Sequence, residues 1–111
     1  MAFRMSEQAY FVLLALADEP RHGYGIVQHV TELSDGEVRL GAGTLYGVLD
    51  RAGDAGLVAA SGEVVVDGRT RRYYRLTDEG RAALTAETAR LRDLARRAER
   101  VLRARPVGGA A

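Results

Sequence analysis

Gly41-Ala42-Gly43-Thr44-Leu45-Tyr46-Gly47-Val48-Leu49-Asp50-Arg51 is the stretch on which the fold turns. It reads as a loop that tips into a helix, from about Gly43 to Ala55, closed by Gly56. Leu45, Val48 and Leu49 recur at helical spacing and share one face that a core can hold. Thr44, Tyr46, Gly47, Asp50 and Arg51 then point away. One anchored stripe opposite small, hydroxylated and basic residues suits a DNA major groove. The alternative is an ordinary amphipathic helix with ordinary polar groups in solvent, because short motifs match by chance.

Upstream, Ser6 is placed to cap a first helix running to about Asp18, with Glu7 in its first turn. Tyr10, Phe11, Val12, Leu13, Leu14, Leu16 and Ala17 make it apolar nearly all round, as in a buried helix. Asp18-Glu19-Pro20-Arg21 breaks it. A second helix spans roughly His22 to Ser34, with Ile26, Val30 and Leu33 on one stripe. Gly23 and Gly25 are poor helix formers in its first turn and allow close backbone approach, either to helix one or to a phosphate. Ser34-Asp35-Gly36 ends it, and Val38-Arg39-Leu40 has the look of a very short strand. Helix two and the Gly43–Ala55 helix together read as a helix-turn-helix with a lengthened connection.

Downstream, Glu63-Val64-Val65-Val66 and Arg69 to Leu76 flank Asp67-Gly68, a strong hairpin signal. Arg72, Tyr74 and Leu76 share one face of the returning strand; Arg71, Tyr73 and Arg75 share the other. No acid lies between Asp67 and Asp78, whereas Arg69, Arg71, Arg72 and Arg75 do. A basic hairpin after a helix-turn-helix reads as a wing, suited to the phosphate backbone or the minor groove. The alternative is a solvated edge hairpin whose Arg residues resist aggregation.

Thr77 caps a last helix that begins with Asp78 and Glu79 and continues to about Arg103. Leu84, Leu91 and Ala98 are seven apart, as are Leu94 and Val101, which makes a short heptad-like seam interrupted by Glu87. The seam predicts packing on helix one of a second subunit, with packing inside its own subunit as the alternative. The expected organisation is a winged helix-turn-helix domain over 1–80, a dimerisation helix over 81–105 and a disordered tail over 106–111.

The whole chain is consistent with this. Its 111 residues make one domain, and 47% apolar content is that of a soluble globule. Absence of cysteine excludes disulfides, thiolate metal sites and a cysteine nucleophile. No apolar run approaches membrane-spanning length and no secretory leader precedes helix one, so a cytoplasmic protein without a membrane partner is expected. Net charge is +1, and its distribution is more telling. Arg4 and Arg21 stand against Glu7, Asp18, Glu19, Glu32, Asp35 and Glu37 over residues 1–38. All 16 basic residues are Arg, the better side chain for forked contacts to phosphate and guanine.

Catalytic signatures are missing. There is no phosphate loop ending in Lys, no nucleophile elbow around Ser6, Ser34 or Ser61, and no paired carboxylates, so no enzyme and no cofactor are expected. His22 and His29 are two helical turns apart without a third ligand, so no metal is expected.

Leu16-Ala17-Asp18-Glu19-Pro20-Arg21-His22-Gly23-Tyr24, Gly41 to Tyr46, and Arg71 to Thr77 followed by Glu79-Gly80 together resemble PadR-type transcriptional regulators, over roughly Tyr10 to Arg81. The C-terminal part is similar to the small subfamily with a single dimerising helix. The resemblance implies a mainly α fold with a small β-hairpin wing: a winged helix-turn-helix homodimer, usually a repressor, on a roughly palindromic operator in double-stranded DNA. Carried onto this chain, Gly43, Thr44, Tyr46, Gly47 and Arg51 would face the groove, and Arg69, Arg71 and Arg72 would belong to the wing. Leu84, Leu91, Leu94, Ala98 and Val101 would form the dimer seam. Some relatives stack a flat aromatic effector on a Trp of the last helix, and this chain has none. A hydrophobic or aromatic effector at the seam, lined by Tyr10, Phe11, Leu91 and Leu94, stays open, with core packing as the equal alternative. So does a winged-helix protein-interaction module without DNA binding.

Overall fold

The computed structural model describes residues 3–104. Its elements, in chain order, are α1 (Glu7–Leu14), β1 (Arg21–His22), α2 (Gly23–Leu33), α3 (Ala42–Asp54), β2 (Val58–Val66), β3 (Arg69–Leu76) and α4 (Asp78–Arg103). The tail expected over 106–111 lies outside the described residues.

α1 starts where Ser6 accepts the Ala9 N–H at 3.1 Å. It ends earlier than its composition predicts. The Leu16 and Ala17 amides bond three residues back, to Leu13 and Leu14, so Ala15–Ala17 tighten into a turn. Val12, Leu13, Ile26, Val30, Leu45 and Val48 are the largest fully buried side chains. At about 1.5–3 kcal/mol for each such side chain, they lock α1, α2 and α3 around one core.

The α2–α3 connection holds no strand. Val38 and Leu40 are buried, as a strand would have them, but a side chain organises them. Ser34 Oγ accepts the Val38 N–H at 2.9 Å in the interior. Ahead of it, α2 ends in a Schellman arrangement: Gly36 N–H reaches Thr31 C=O, Asp35 N–H reaches Glu32 C=O, and Asp35 takes φ 52°.

The sheet runs β1-β3-β2, with both pairings antiparallel. Asp67 and Gly68 both have positive φ, as a two-residue hairpin turn requires. β1 was not expected. Two polar residues carry no alternating pattern, and only the approach of β3 makes them a strand. The hairpin register shifts between Ala60 and Glu63, where Gly62 adopts φ 99°.

α3 ends in a second Schellman turn, with Gly56 at φ 78° and Leu57 N–H bonded to Ala52 C=O. The start of α4 is stitched to it. Thr77 donates its hydroxyl to Gly56 C=O at 2.6 Å and its N–H to Leu57 C=O at 3.0 Å, and its Oγ1 accepts the Gly80 N–H at 3.0 Å. Gly80 and Leu84 are buried, and every α4 residue from Ala89 onward is exposed. Among the described residues, no helix is long and apolar enough to cross a membrane. Among the described residues α1, α2 and α3, the small sheet and the projecting α4 make a winged helix-turn-helix with a long C-terminal helix.

Candidate nucleic-acid interface

α3 is held from one side only. Leu45, Val48, Leu49 and Ala52 are each at most 3% exposed. Gly43, Thr44, Asp50 and Arg51 are exposed on the other side. Gly43 and Gly47 are four apart, so they lie along one row of that face. Among the described residues, nothing stands within 4 Å of where a Gly43 side chain would be, and over Gly47 only the Arg51 guanidinium is near. The first turns of α3 therefore present bare backbone, with Thr44 on one flank and Tyr46 on the other. Gly41 caps the helix without a side-chain hydrogen bond, which leaves the first α3 amides free of a side-chain acceptor at the positive end of the helix dipole.

Tyr46 is less outward than the sequence implies. It is 45% exposed, and its phenol lies back over the first residue of α2, Gly23. His22 is structural: Nδ1 accepts the Gly25 N–H at 3.1 Å, and the ring meets Tyr73 edge-on at 5.3 Å. His29 lies within 3.5 Å of Glu32.

The hairpin separates its Arg residues. Arg69, Arg71 and Arg75 alternate onto one face together with Tyr73, which pairs with His22 across β1. Arg72 lies on the other face, with Tyr74 and Leu76, directly opposite Glu63 on β2. A linear reading of charge between Asp67 and Asp78 missed that acid. The antiparallel register was the signal that locates it. Arg69, Arg72 and Arg75 are exposed; Arg71 is half-buried, with its Nε shielded and without a hydrogen-bond partner among the described residues. Among the described residues none of the four is in an ion pair.

On α4 the expected seam splits. Leu84 is 5% exposed and packs in the core of its own chain, so it has no surface left for a second subunit. Leu91, Leu94 and Val101 are 38%, 52% and 72% exposed, and Ala98 is exposed with them. Leu102, not singled out from the heptad, is 81% exposed on the same side. Glu87, the interruption, sits at the groove between α1 and α4, where Arg90 forks onto it at 2.9 and 2.7 Å. That hydrogen bond holds the Glu87 carboxyl below the usual glutamate range. The groove encloses about 300 Å³ between Met5, Tyr10 and Phe11 on one side and Glu87, Arg90 and Leu91 on the other.

Comparison with known proteins bears on this geometry. The pattern of the Transcriptional regulator PadR-like family matches residues 12–86. Transcriptional regulator Rv3488 of Mycobacterium tuberculosis is 43% identical over 94 residues, which cover 85% of this chain and 84% of that protein. The X-ray structure of a PadR-like transcription factor from Bacteroides fragilis superposes with TM-score 0.71 at 27% identity, covering 86% of this chain and 89% of that one. Bacillus subtilis PadR, solved in complex with operator DNA, shares the fold at TM-score 0.63 and 18% identity; the match covers 97% of this chain and 54% of that protein. The family pattern spans both helices of the helix-turn-helix, the hairpin and the start of α4, and with it the chain belongs to the PadR-like family of transcriptional regulators.

Proposed function

We propose that the protein is a homodimeric repressor that binds a pseudo-palindromic operator in double-stranded DNA through α3 and the Arg-bearing hairpin. The observation that carries this is the exposed face of α3: bare at Gly43 and Gly47, flanked by Thr44, Tyr46 and Arg51, and uncapped at its N-terminus. A helix with no bulky side chain on its outer row can approach a groove floor closely. Thr44 and Arg51 then read base edges. Arg69, Arg71 and Arg72 contact phosphates on either side of the hairpin, supplying affinity and salt dependence rather than sequence preference.

A second copy fits the apolar stripe of α4. Leu91, Leu94, Ala98 and Val101, with Leu102, leave a contiguous unburied face on a helix of about 39 Å, and such a face favours a partner of the same kind. Two subunits related by a two-fold axis set their α3 helices about 34 Å apart, one duplex turn. The α1–α4 groove at this face, with Tyr10, Phe11 and Leu91 in its walls, suits a hydrophobic or aromatic effector that alters the half-site spacing. In this reading, residues 1–80 read DNA and 81–105 pair the subunits, although Leu84 belongs to the body of its own chain.

Selection of binding sites from random duplex DNA tests the reading. The expected product is an inverted repeat with half-site centres one turn apart. Arg72→Ala should weaken binding to the selected and to unrelated duplexes alike and reduce the salt slope by about one. Failure to enrich any sequence, together with a stable protein complex in pull-down, would favour a winged-helix interaction module that has left DNA.

A further inference from the structure

Gly23 opens α2, is buried, and keeps ordinary backbone dihedrals, so no turn geometry demands a glycine there. What occupies the space of its missing side chain is Tyr46. A methyl group on Gly23 would stand 2.5 Å from Tyr46 Oη, 3.2 Å from Cζ and 3.4 Å from Leu45 Cδ2. The phenol of α3 therefore rests on the bare first turn of α2, in a seat that only glycine leaves open. Contacts near 2.5 Å lie far inside van der Waals distance, so any side chain at position 23 must push the ring, which is open to solvent on one side, out of this seat.

From this packing we infer that Gly23 is a positioning residue for DNA recognition, acting through Tyr46; the inference rests on the DNA-binding role proposed above. The Leu45 side of the ring is closed by the core. Open to the ring is the α3 face that Gly43 keeps bare, with nothing among the described residues within 4 Å of a side chain placed there. An evicted phenol swings out over that face and holds α3 away from a groove floor. With Gly23 in place the ring is parked on α2, the outer row stays clear, and the crossing of the two helices is fixed by a contact at their ends.

A substitution cycle tests the coupling. Gly23→Ala, Tyr46→Phe, Tyr46→Ala and the two combinations are compared by melting temperature and by fluorescence-anisotropy Kd on a duplex enriched from random DNA by the wild-type protein. In the wild-type background Gly23→Ala should lower affinity about tenfold and lower Tm. In the Tyr46→Ala background the same change should leave Kd within about twofold and raise Tm, because alanine is the better helix former and the nearest remaining atom is at an ordinary 3.4 Å. Tyr46→Phe removes the atom at 2.5 Å and leaves one at 3.2 Å, so it should give an intermediate rescue of both readouts. An equal loss from Gly23→Ala in every background, or none in wild type, overturns the inference while leaving DNA binding intact. A wild-type protein that enriches no duplex sinks the DNA-binding role instead, and with it Gly23's part in recognition; the melting series then decides only whether Gly23 seats Tyr46.

Discussion

Replacing Gly80 by alanine sets two physical effects against each other, and the structure decides which wins. Gly80 lies in the first turn of α4, where alanine is favoured over glycine on helix propensity alone by at most the interior value of about 1 kcal/mol. The added methyl would stand 2.6 Å from Leu76 Cδ1 and 3.1 Å from the Leu57 carbonyl carbon, and closer still to the Leu57 carbonyl oxygen. Carbon atoms pack comfortably at about 3.5–4.0 Å, so α4 must withdraw by roughly 1 Å. Leu76 can turn aside, but Leu57 is backbone. Its carbonyl accepts the Thr77 N–H at 3.0 Å, and withdrawal stretches that bond. Overpacking costs about 1–3 kcal/mol, and a weakened hydrogen bond about 1 kcal/mol more. The net expectation is a loss of about 1–3 kcal/mol, or roughly 4–15 °C in Tm for a domain of this size. Urea denaturation followed by far-UV circular dichroism, at matched protein concentration because association adds to apparent stability, measures it. A Gly80→Ala protein as stable as wild type, or more so, would mean that propensity decides the outcome and that α4 does not rest on Leu57.

Three further outcomes are expected. Glu63→Gln removes the acid opposite Arg72 and should strengthen DNA binding severalfold at low salt, mainly through faster association, with the gain fading as salt rises; stopped-flow association rates that do not change would remove Glu63 from the wing's electrostatics. Ser34→Ala leaves the Val38 N–H unpaired in the interior and should destabilise the protein by about 1–3 kcal/mol, with faster amide exchange at Val38 than at its neighbours. Replacing Leu91 and Leu94 together by Arg should give a monomer in sedimentation velocity that keeps the helix content of the folded chain, because both side chains are already exposed. A dimer that survives the change would place the subunit contact elsewhere.

Local chemistry was enough to read most of the elements. Ser6 and Thr77 mark two helix starts, Asp67-Gly68 a hairpin, and the spacing of Leu45, Val48 and Leu49 an anchored helix, because capping, turn geometry and one-sided burial act within a few residues. The family was legible for the same reason, in short pieces whose order the structure preserves. Other features depended on parts of the chain meeting. β1 exists only because β3 passes beside Arg21 and His22. Val38–Leu40 is buried like a strand yet held by the Ser34 hydroxyl, a choice that hydrophobicity does not record. Leu84 and Leu91 occupy the same heptad position, yet Leu84 is buried in the core of its own chain while Leu91 stays 38% exposed in the wall of the α1–α4 groove. Glu63 opposes Arg72 through a register with a bulge in it, and Tyr46 lies back over residue 23, which has no side chain. Sequence by itself determined the helices and the hairpin, since those preferences are local. Which faces remain open for a partner was decided by the tertiary structure, since exposure depends on what packs alongside.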